Sequence, residues 1–108
     1  MKCEVVVSPE AAAEIDAHAE FIAVDSVYAA LRFYGSVERA FVRLSSMPEI
    51  GAHHHVEPSP GKGLRVWPVP GFPRHLIFYR STTSTVEIVR LIHSSRDIPG
   101  LSAESGQG

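Results

Sequence analysis

The stretch that decides the fold is residues 64–93, LRVWPVPGFPRHLIFYRSTTSTVEIVRLIH. Three segments in it, 64–69, 74–80 and 85–93, are rich in β-branched and aromatic residues, which are typical of strands. The intervening sequences PGFP and STTS are typical turns. Because both turns are short, neighbouring strands should run antiparallel, so the stretch predicts a three-stranded meander.

Two helices are predicted before this meander. Ser8 is a favourable N-cap, Pro9 suits the first helical position, and Asp25-Ser26 should end the first helix and cap the second. Apolar residues at helical spacing predict the buried stripes, Ala11, Ile15, Ala19 and Ile22 in the first helix and Val27, Ala30, Tyr34, Val37, Phe41 and Leu44 in the second. Tyr28 is predicted to be a core or interhelix residue. The short connection predicts an antiparallel hairpin.

The remaining segments complete the predicted order of elements. KCEVVVS (2–8) predicts a first strand that joins the sheet, residues 48–63 read as a loop, and the tail 99–108 has no apolar periodicity and is predicted to be flexible. The order is β-α-α-β-β-β. It predicts an α+β fold with the helix hairpin packed on a small antiparallel sheet, in a single domain spanning residues 1–98.

Composition and charge limit the classes of function. The chain has 108 residues, 44% of them apolar, which suits one domain. Its net charge of −2 makes it a poor general binder of nucleic acid, although the six basic residues of segment 62–98 outnumber its two acids. The single cysteine, Cys3, cannot form an internal disulfide, so we expect a cytoplasmic protein. No apolar stretch approaches the roughly 20 residues of a membrane span.

A polar cluster, RLIHSSRD (90–97), follows the last apolar run. Cleavage of RNA would need a base, an acid and cations in one place. The candidates are His93 with Arg65, Arg80, Arg90 and His75. Regular strand alternation puts Arg90 and His93 on opposite faces, which favours a structural role for the cluster. In that reading His93 bonds nearby backbone or Asp97, Arg96 and Asp97 form a local cap, and the strand arginines are solvated or meet the acidic first helix.

GLRVWPVPGFPRHLIFYR followed by VEIVRLIHSSRDI resembles the C-terminal half of the RelE/ParE superfamily of small toxins, on its ParE side. SPEAAAEIDAHAEFIA and AALRFYGSVERAFVRLSSMPEIG resemble the helix hairpin of that family, so the resemblance runs from about residue 3 to residue 98. It implies a ParE-like (plasmid stabilisation) toxin of a bacterial type II toxin–antitoxin system, neutralised by a ParD-like antitoxin. ParE-like toxins are associated with poisoning of DNA gyrase, whereas RelE-like relatives are ribosome-dependent mRNA endonucleases.

Three functions therefore stay open: a gyrase inhibitor that acts by binding, an mRNA endonuclease built on His93, Arg65, Arg80 and Arg90, and a weakly toxic or inactive complex partner. We favour binding, by an arginine-bearing sheet face whose guanidinium groups pair with antitoxin carboxylates. The predicted partner-binding residues are Arg65, Trp67, Phe72, Arg74, Arg80 and Arg90. We expect no cofactor and no metal, because consecutive residues such as His53, His54 and His55 do not readily converge on one ion. The role of that loop is left open.

Overall fold

The computed structural model describes residues 2–54 and 63–95. The elements in chain order are β1 (Glu4–Val7), α1 (Pro9–Asp25), α2 (Val27–Ser46), β2 (Ala52–His53), β3 (Arg65–Val69), β4 (Phe72–Ser81) and β5 (Thr85–His93). The predicted α+β class and helix pair are confirmed. The pair Arg96–Asp97, His55 and the predicted tail lie outside the described residues.

The five strands form one sheet in the order β1-β5-β4-β3-β2. The meander of β3, β4 and β5 is antiparallel, as predicted. β1 joins the sheet but runs parallel to β5, so the prediction of a wholly antiparallel sheet is corrected to a mixed one. A parallel neighbour needs a long connection that returns the chain to the same end of the sheet, and the helix hairpin begins such a connection.

β2 lies inside the segment 48–63 that the sequence predicts to be a loop, and it pairs with β3. The buried Tyr79 holds the start of this segment, because its hydroxyl donates to the Pro48 carbonyl at 2.9 Å and accepts the Gly51 N–H at 2.8 Å. A Cβ atom at Gly51 would lie 2.6 Å from the Tyr79 hydroxyl and 2.8 Å from the Val66 carbonyl. Glycine is therefore required at this position.

The main core lies between the helix hairpin and the sheet. The predicted stripes are confirmed at their buried members, Ala11, Ile15 and Ala19 of α1 and Ala30, Val37 and Leu44 of α2. The prediction for Tyr28 is wrong, because its side chain is 79% exposed. At about 100° per residue, Tyr28 lies half a turn away from Val37, on the side of α2 that faces away from the sheet. Val27 and Tyr34, which the predicted stripe includes, are exposed as well.

Candidate functional site

A cavity of about 720 Å³ lies between α1 and the ends of β4 and β5. It is lined by Arg90, His93 and Ser95 of the predicted polar cluster, together with histidines from α1 and β4. The residues that define its chemistry are Glu14, His18, His75, Arg90, His93 and Ser95.

The first turns of α1 close the open edge of β5. β1 pairs only with Thr85–Ile88, so beyond Ile88 the edge of β5 that faces away from β4 has no neighbouring strand. The Ser8 hydroxyl donates to the Val89 carbonyl at 2.8 Å, and the Glu14 carboxylate accepts the Leu91 N–H at 2.8 Å. Side chains of α1 and its cap thus satisfy a sheet edge that would otherwise be free to pair with another chain.

Arg90 forms an ion pair with Glu14 at the same edge. The Arg90 Nε atom lies 2.7 Å and its Nη2 atom 2.5 Å from Oε2 of Glu14. The hydrogen bond to Glu14 raises the pKa of Arg90 above its ordinary value. For this arginine the expectation of a contact with the acidic first helix is confirmed.

Arg90 and His93 line one cavity although they alternate along the strand. The register is regular from Arg90, which pairs with Phe78, to His93, which pairs with His75. The irregularity of β5 comes before Arg90. Tyr79 pairs with Ile88 and Phe78 pairs with Arg90, so Val89 has no partner in β4. The two side chains meet the same cavity because Arg90 reaches Glu14 across the open strand edge.

Three histidines meet across α1, β4 and β5. The Nδ1 atoms of His18 and His75 are 2.9 Å apart, and the ring centroids of His75 and His93 are 4.9 Å apart. Burial, followed by the charges of His18 and His93, lowers the pKa of His75 to about 4, so His75 is neutral at neutral pH. His18 is not among the site residues predicted from the sequence. Its spacing three residues after Ile15 and four before Ile22, on the buried stripe, is the signal that could have found it.

His93 is held by the backbone that follows β5. Its Nδ1 atom accepts the Ser95 N–H at 3.1 Å and lies 2.7 Å from the Ser95 hydroxyl. A backbone N–H can only donate, so in neutral His93 the proton resides on Nε2. The predicted bond of His93 to nearby backbone is confirmed. Within residues 2–54 and 63–95 no group of three His, Cys, Asp or Glu residues is placed to hold a metal ion.

Arg65 and Arg80 do not line this cavity. Arg65 pairs with Tyr79 across the sheet and donates to the Glu49 carbonyl at 3.0 Å and to the Gly51 carbonyl at 2.8 Å. Arg80 follows Tyr79 in β4 and so points to the opposite face. Arg74 alternates in step with Arg80, and Arg90 pairs with Phe78 on that same face. Of the four predicted arginines, only Arg65 lies on the other face.

Arg80 forms a cross-strand ion pair of 3.2 Å with Glu87, in which the side chains are 39% and 47% exposed. Arg74 is exposed, at the end of β4 next to the cavity. Its carbonyl accepts the Ser94 N–H at 2.7 Å. Of these two arginines, only Arg74 presents a guanidinium group without an ion pair among the described residues.

Both predicted aromatic anchors pack against the main core. Phe72 is half-buried, with its ring centroid 5.3 Å from that of Phe33. The indole N–H of Trp67 is buried and has no hydrogen-bond partner among the described residues. Phe72 also lines the space outside α2, and both side chains are partly exposed.

The two-helix, five-stranded fold is shared with solved structures. A chain of the chromosomal ParDE TA system from P. aeruginosa, one of ten matching chains, superposes with a TM-score of 0.66. The match has 18% identity and covers 85% of this chain and 96% of that chain. No curated protein matches the sequence significantly.

Residues 5–98 match the family model described as the ParE toxin of the type II toxin–antitoxin system parDE. The chain belongs to this ParE toxin family, which confirms the resemblance seen in the sequence. No helix of the described residues has the length and apolar character that a membrane crossing requires.

Proposed function

We propose that this chain is a cytoplasmic toxin that inhibits DNA gyrase by binding it, and that a ParD-like antitoxin neutralises the toxin. The family membership supports the toxin–antitoxin module. The observation that carries the choice of binding over cleavage is that the polar groups at the end of β5 are already engaged within the chain. Glu14 holds Arg90, and Ser95 holds His93.

In an RNA-cleaving site, these side chains would have to be free to contact the phosphate and to exchange protons. The positive charge of Arg90 is balanced by Glu14, so it is not available to stabilise a phosphate in the transition state. The Nδ1 lone pair of His93 accepts the Ser95 N–H, so taking up a proton at this atom would break that hydrogen bond. Arg65 and Arg80 lie on opposite faces of the sheet, and neither lines the cavity that Arg90 and His93 share. The arrangement supports a role in holding α1 on the sheet.

A supercoiling assay with the purified chain tests the gyrase target. We expect inhibition that grows with toxin concentration and is relieved when the antitoxin is added in equal amount. Full gyrase activity at saturating toxin would contradict the target while leaving the toxin–antitoxin module intact.

Induction of the chain without its antitoxin separates the three functions named above. We expect growth arrest with the wild type and the same arrest with His93→Ala, because His93 performs no chemistry in our proposal. His53→Ala, a change of the same kind at an exposed position of β2, is the matched control. Loss of arrest in His93→Ala alone, with cleaved message seen by primer extension, would support the endonuclease. No arrest with the wild type would support an inactive complex partner.

A further inference from the structure

A second cavity lies between α2 and the turn that joins β3 to β4. It has a volume of about 840 Å³, within the range of about 300–1,000 Å³ that is common for small-molecule sites. We call it the α2 groove and define it by six of its residues, Tyr28, Leu31, Arg32, Gly35, Arg39 and Phe72. Nothing in the function proposed above uses this surface.

The charged groups of the α2 groove are all positive. The described residues that line it include two arginines and no acidic residue, although the chain as a whole has a net charge of −2. The salt bridges of residues 2–54 and 63–95 lie elsewhere, so neither Arg32 nor Arg39 is neutralised by one of them. A concave surface lined by one sign of charge concentrates ligands of the opposite sign, so this groove favours anions.

Both arginines lie beside the same glycine. A Cβ atom added at Gly35 would lie 3.6 Å from Nη1 of Arg39, so this guanidinium group is next to the bare backbone. Its Nη2 atom donates to the hydroxyl of the buried Ser36 at 2.8 Å, which orients the group. Arg32 precedes Gly35 by three residues, which places it on the same side of α2. Glycine lowers helix stability, but here it leaves open space where an anion can approach both guanidinium groups.

Aromatic rings stand beside these cations. Tyr28 lies about one turn before Arg32 and is 79% exposed. Phe72, across the groove, is half-buried and packs edge-on against Phe33, with the ring centroids 5.3 Å apart. An exposed ring next to arginines is the combination that stacks a nucleobase while cations neutralise its phosphates.

From this combination we infer that the α2 groove binds a nucleoside di- or triphosphate, with the base on Tyr28 and the phosphates over Gly35. Guanidinium groups suit phosphates because their fork of N–H donors pairs with two oxygens at once. Arg32 and Arg39 are seven residues apart, about 10 Å along the helix, so each can pair with its own phosphate of a chain. The ligand therefore needs a flat ring and more than one phosphate.

The test is a titration of the isotope-labelled full chain with ADP, followed by the amide resonances. We expect saturable shifts that are largest at Gly35 and Ser36, with a Kd of about 1 mM or tighter that rises with salt. Arg39→Gln should weaken binding by about tenfold, because a charge-assisted hydrogen bond to phosphate is lost. Tyr28→Ala should weaken it by about fivefold or more, because the base loses its stacking surface.

Matched controls separate the groove from the rest of the hairpin. Arg43→Gln and Phe21→Ala remove an exposed arginine and an exposed ring that do not line the α2 groove, and both should leave the Kd for ADP unchanged. Pyrophosphate, which has the phosphates and no base, should bind about fivefold more weakly than ADP, and Tyr28→Ala should not affect it. The amide spectrum of each variant also shows whether it is folded.

Four results would overturn the assignment. Shifts that do not saturate by about 10 mM ADP, or that lie away from the groove, mean that no such site exists. Equal affinities for pyrophosphate and ADP, with no effect of Tyr28→Ala, mean that the base is not recognised. A glutamate peptide of the same charge that binds as tightly as ADP shows that charge alone is selected. A short single-stranded oligonucleotide that binds more tightly, and is weakened by the same variants, shows that the ligand is a nucleic acid.

The supercoiling and induction assays described above decide the proposed function, and none of these four results bears on them.

Discussion

Replacement of Glu14 by alanine should destabilise the fold far more than a typical surface substitution. The Glu14 carboxylate accepts the Leu91 N–H at 2.8 Å and the Arg90 Nε at 2.7 Å, and only 23% of its side chain is exposed. Hydrogen bonds to charged groups contribute about 1.5–3 kcal/mol each, and a buried donor left unsatisfied costs about 1–3 kcal/mol. Because water reaches part of the site, we expect the free energy of unfolding to fall by about 2–3 kcal/mol.

Glu87→Ala is the matched control. It removes the carboxylate of the other ion pair, in which Arg80 and Glu87 are 39% and 47% exposed. Exposed pairs contribute about 0–1 kcal/mol, so the cost should remain within that range. Both values come from urea unfolding at neutral pH, with the slope of the free energy against urea expected to stay constant.

A double-mutant cycle with Arg90→Ala isolates the pair itself. We expect a coupling energy of about 1–2 kcal/mol between Glu14 and Arg90, since the two groups touch and are partly desolvated. If Glu14→Ala costs no more than Glu87→Ala, or if the coupling is close to zero, then the ion pair does not fasten α1 to the sheet. Glu14 and Arg90 would then have no structural role at this edge.

Three further outcomes follow from the described contacts. Tyr79→Phe should lower the free energy of unfolding by about 1–3 kcal/mol, because two backbone groups lose their hydrogen bonds to a buried hydroxyl. The control is Tyr34→Phe. The Tyr34 hydroxyl donates to Asp16 at the surface, so this change should cost no more than about 0.5 kcal/mol. Gly51→Ala should cost at least about 1–3 kcal/mol by urea unfolding, since its Cβ would overlap backbone, and a neutral result would show that the segment shifts freely. The folded chain keeps His75 neutral down to pH of about 4, while the unfolded chain takes up its proton near the ordinary pKa of 6.5. Stability should therefore decrease as the pH falls from 6.5 toward 4, and His75→Gln should flatten that decrease; an unchanged slope would contradict the origin in His75.

Much of the secondary structure could be predicted from local sequence. The bounds of α2 and β5 follow from apolar spacing and from the residues that end each element, and the N-caps Ser8 and Ser26 accept the N–H groups of Ala11 and Ala29 as expected. These features depend on residues three or four positions apart, so the sequence contains the whole interaction. β2 was missed because a strand of two residues has no periodicity to read.

The candidate site could be predicted only in part. The sequence groups Arg90 and His93 in one polar cluster, and it indicates the acidic first helix as a partner for the strand arginines. It could not choose Glu14 among the acids of α1, because the two members of that pair are 76 residues apart and meet only through the register of β5. The same holds for His18 and His75, which are 57 residues apart.

The exposed surface, too, combines features that local sequence predicts with features that depend on contacts between distant segments. Helical spacing identifies the side of α2 that packs on the sheet, but Tyr28, Leu31 and Arg32 form a groove only because the turn between β3 and β4 lies opposite them. By itself the sequence determined the helices, the antiparallel meander and the family, since each depends on local spacing or on segments in a fixed order. The tertiary structure decided the parallel β1, the ion pair at the β5 edge and the groove, because each requires distant segments to meet in one particular register.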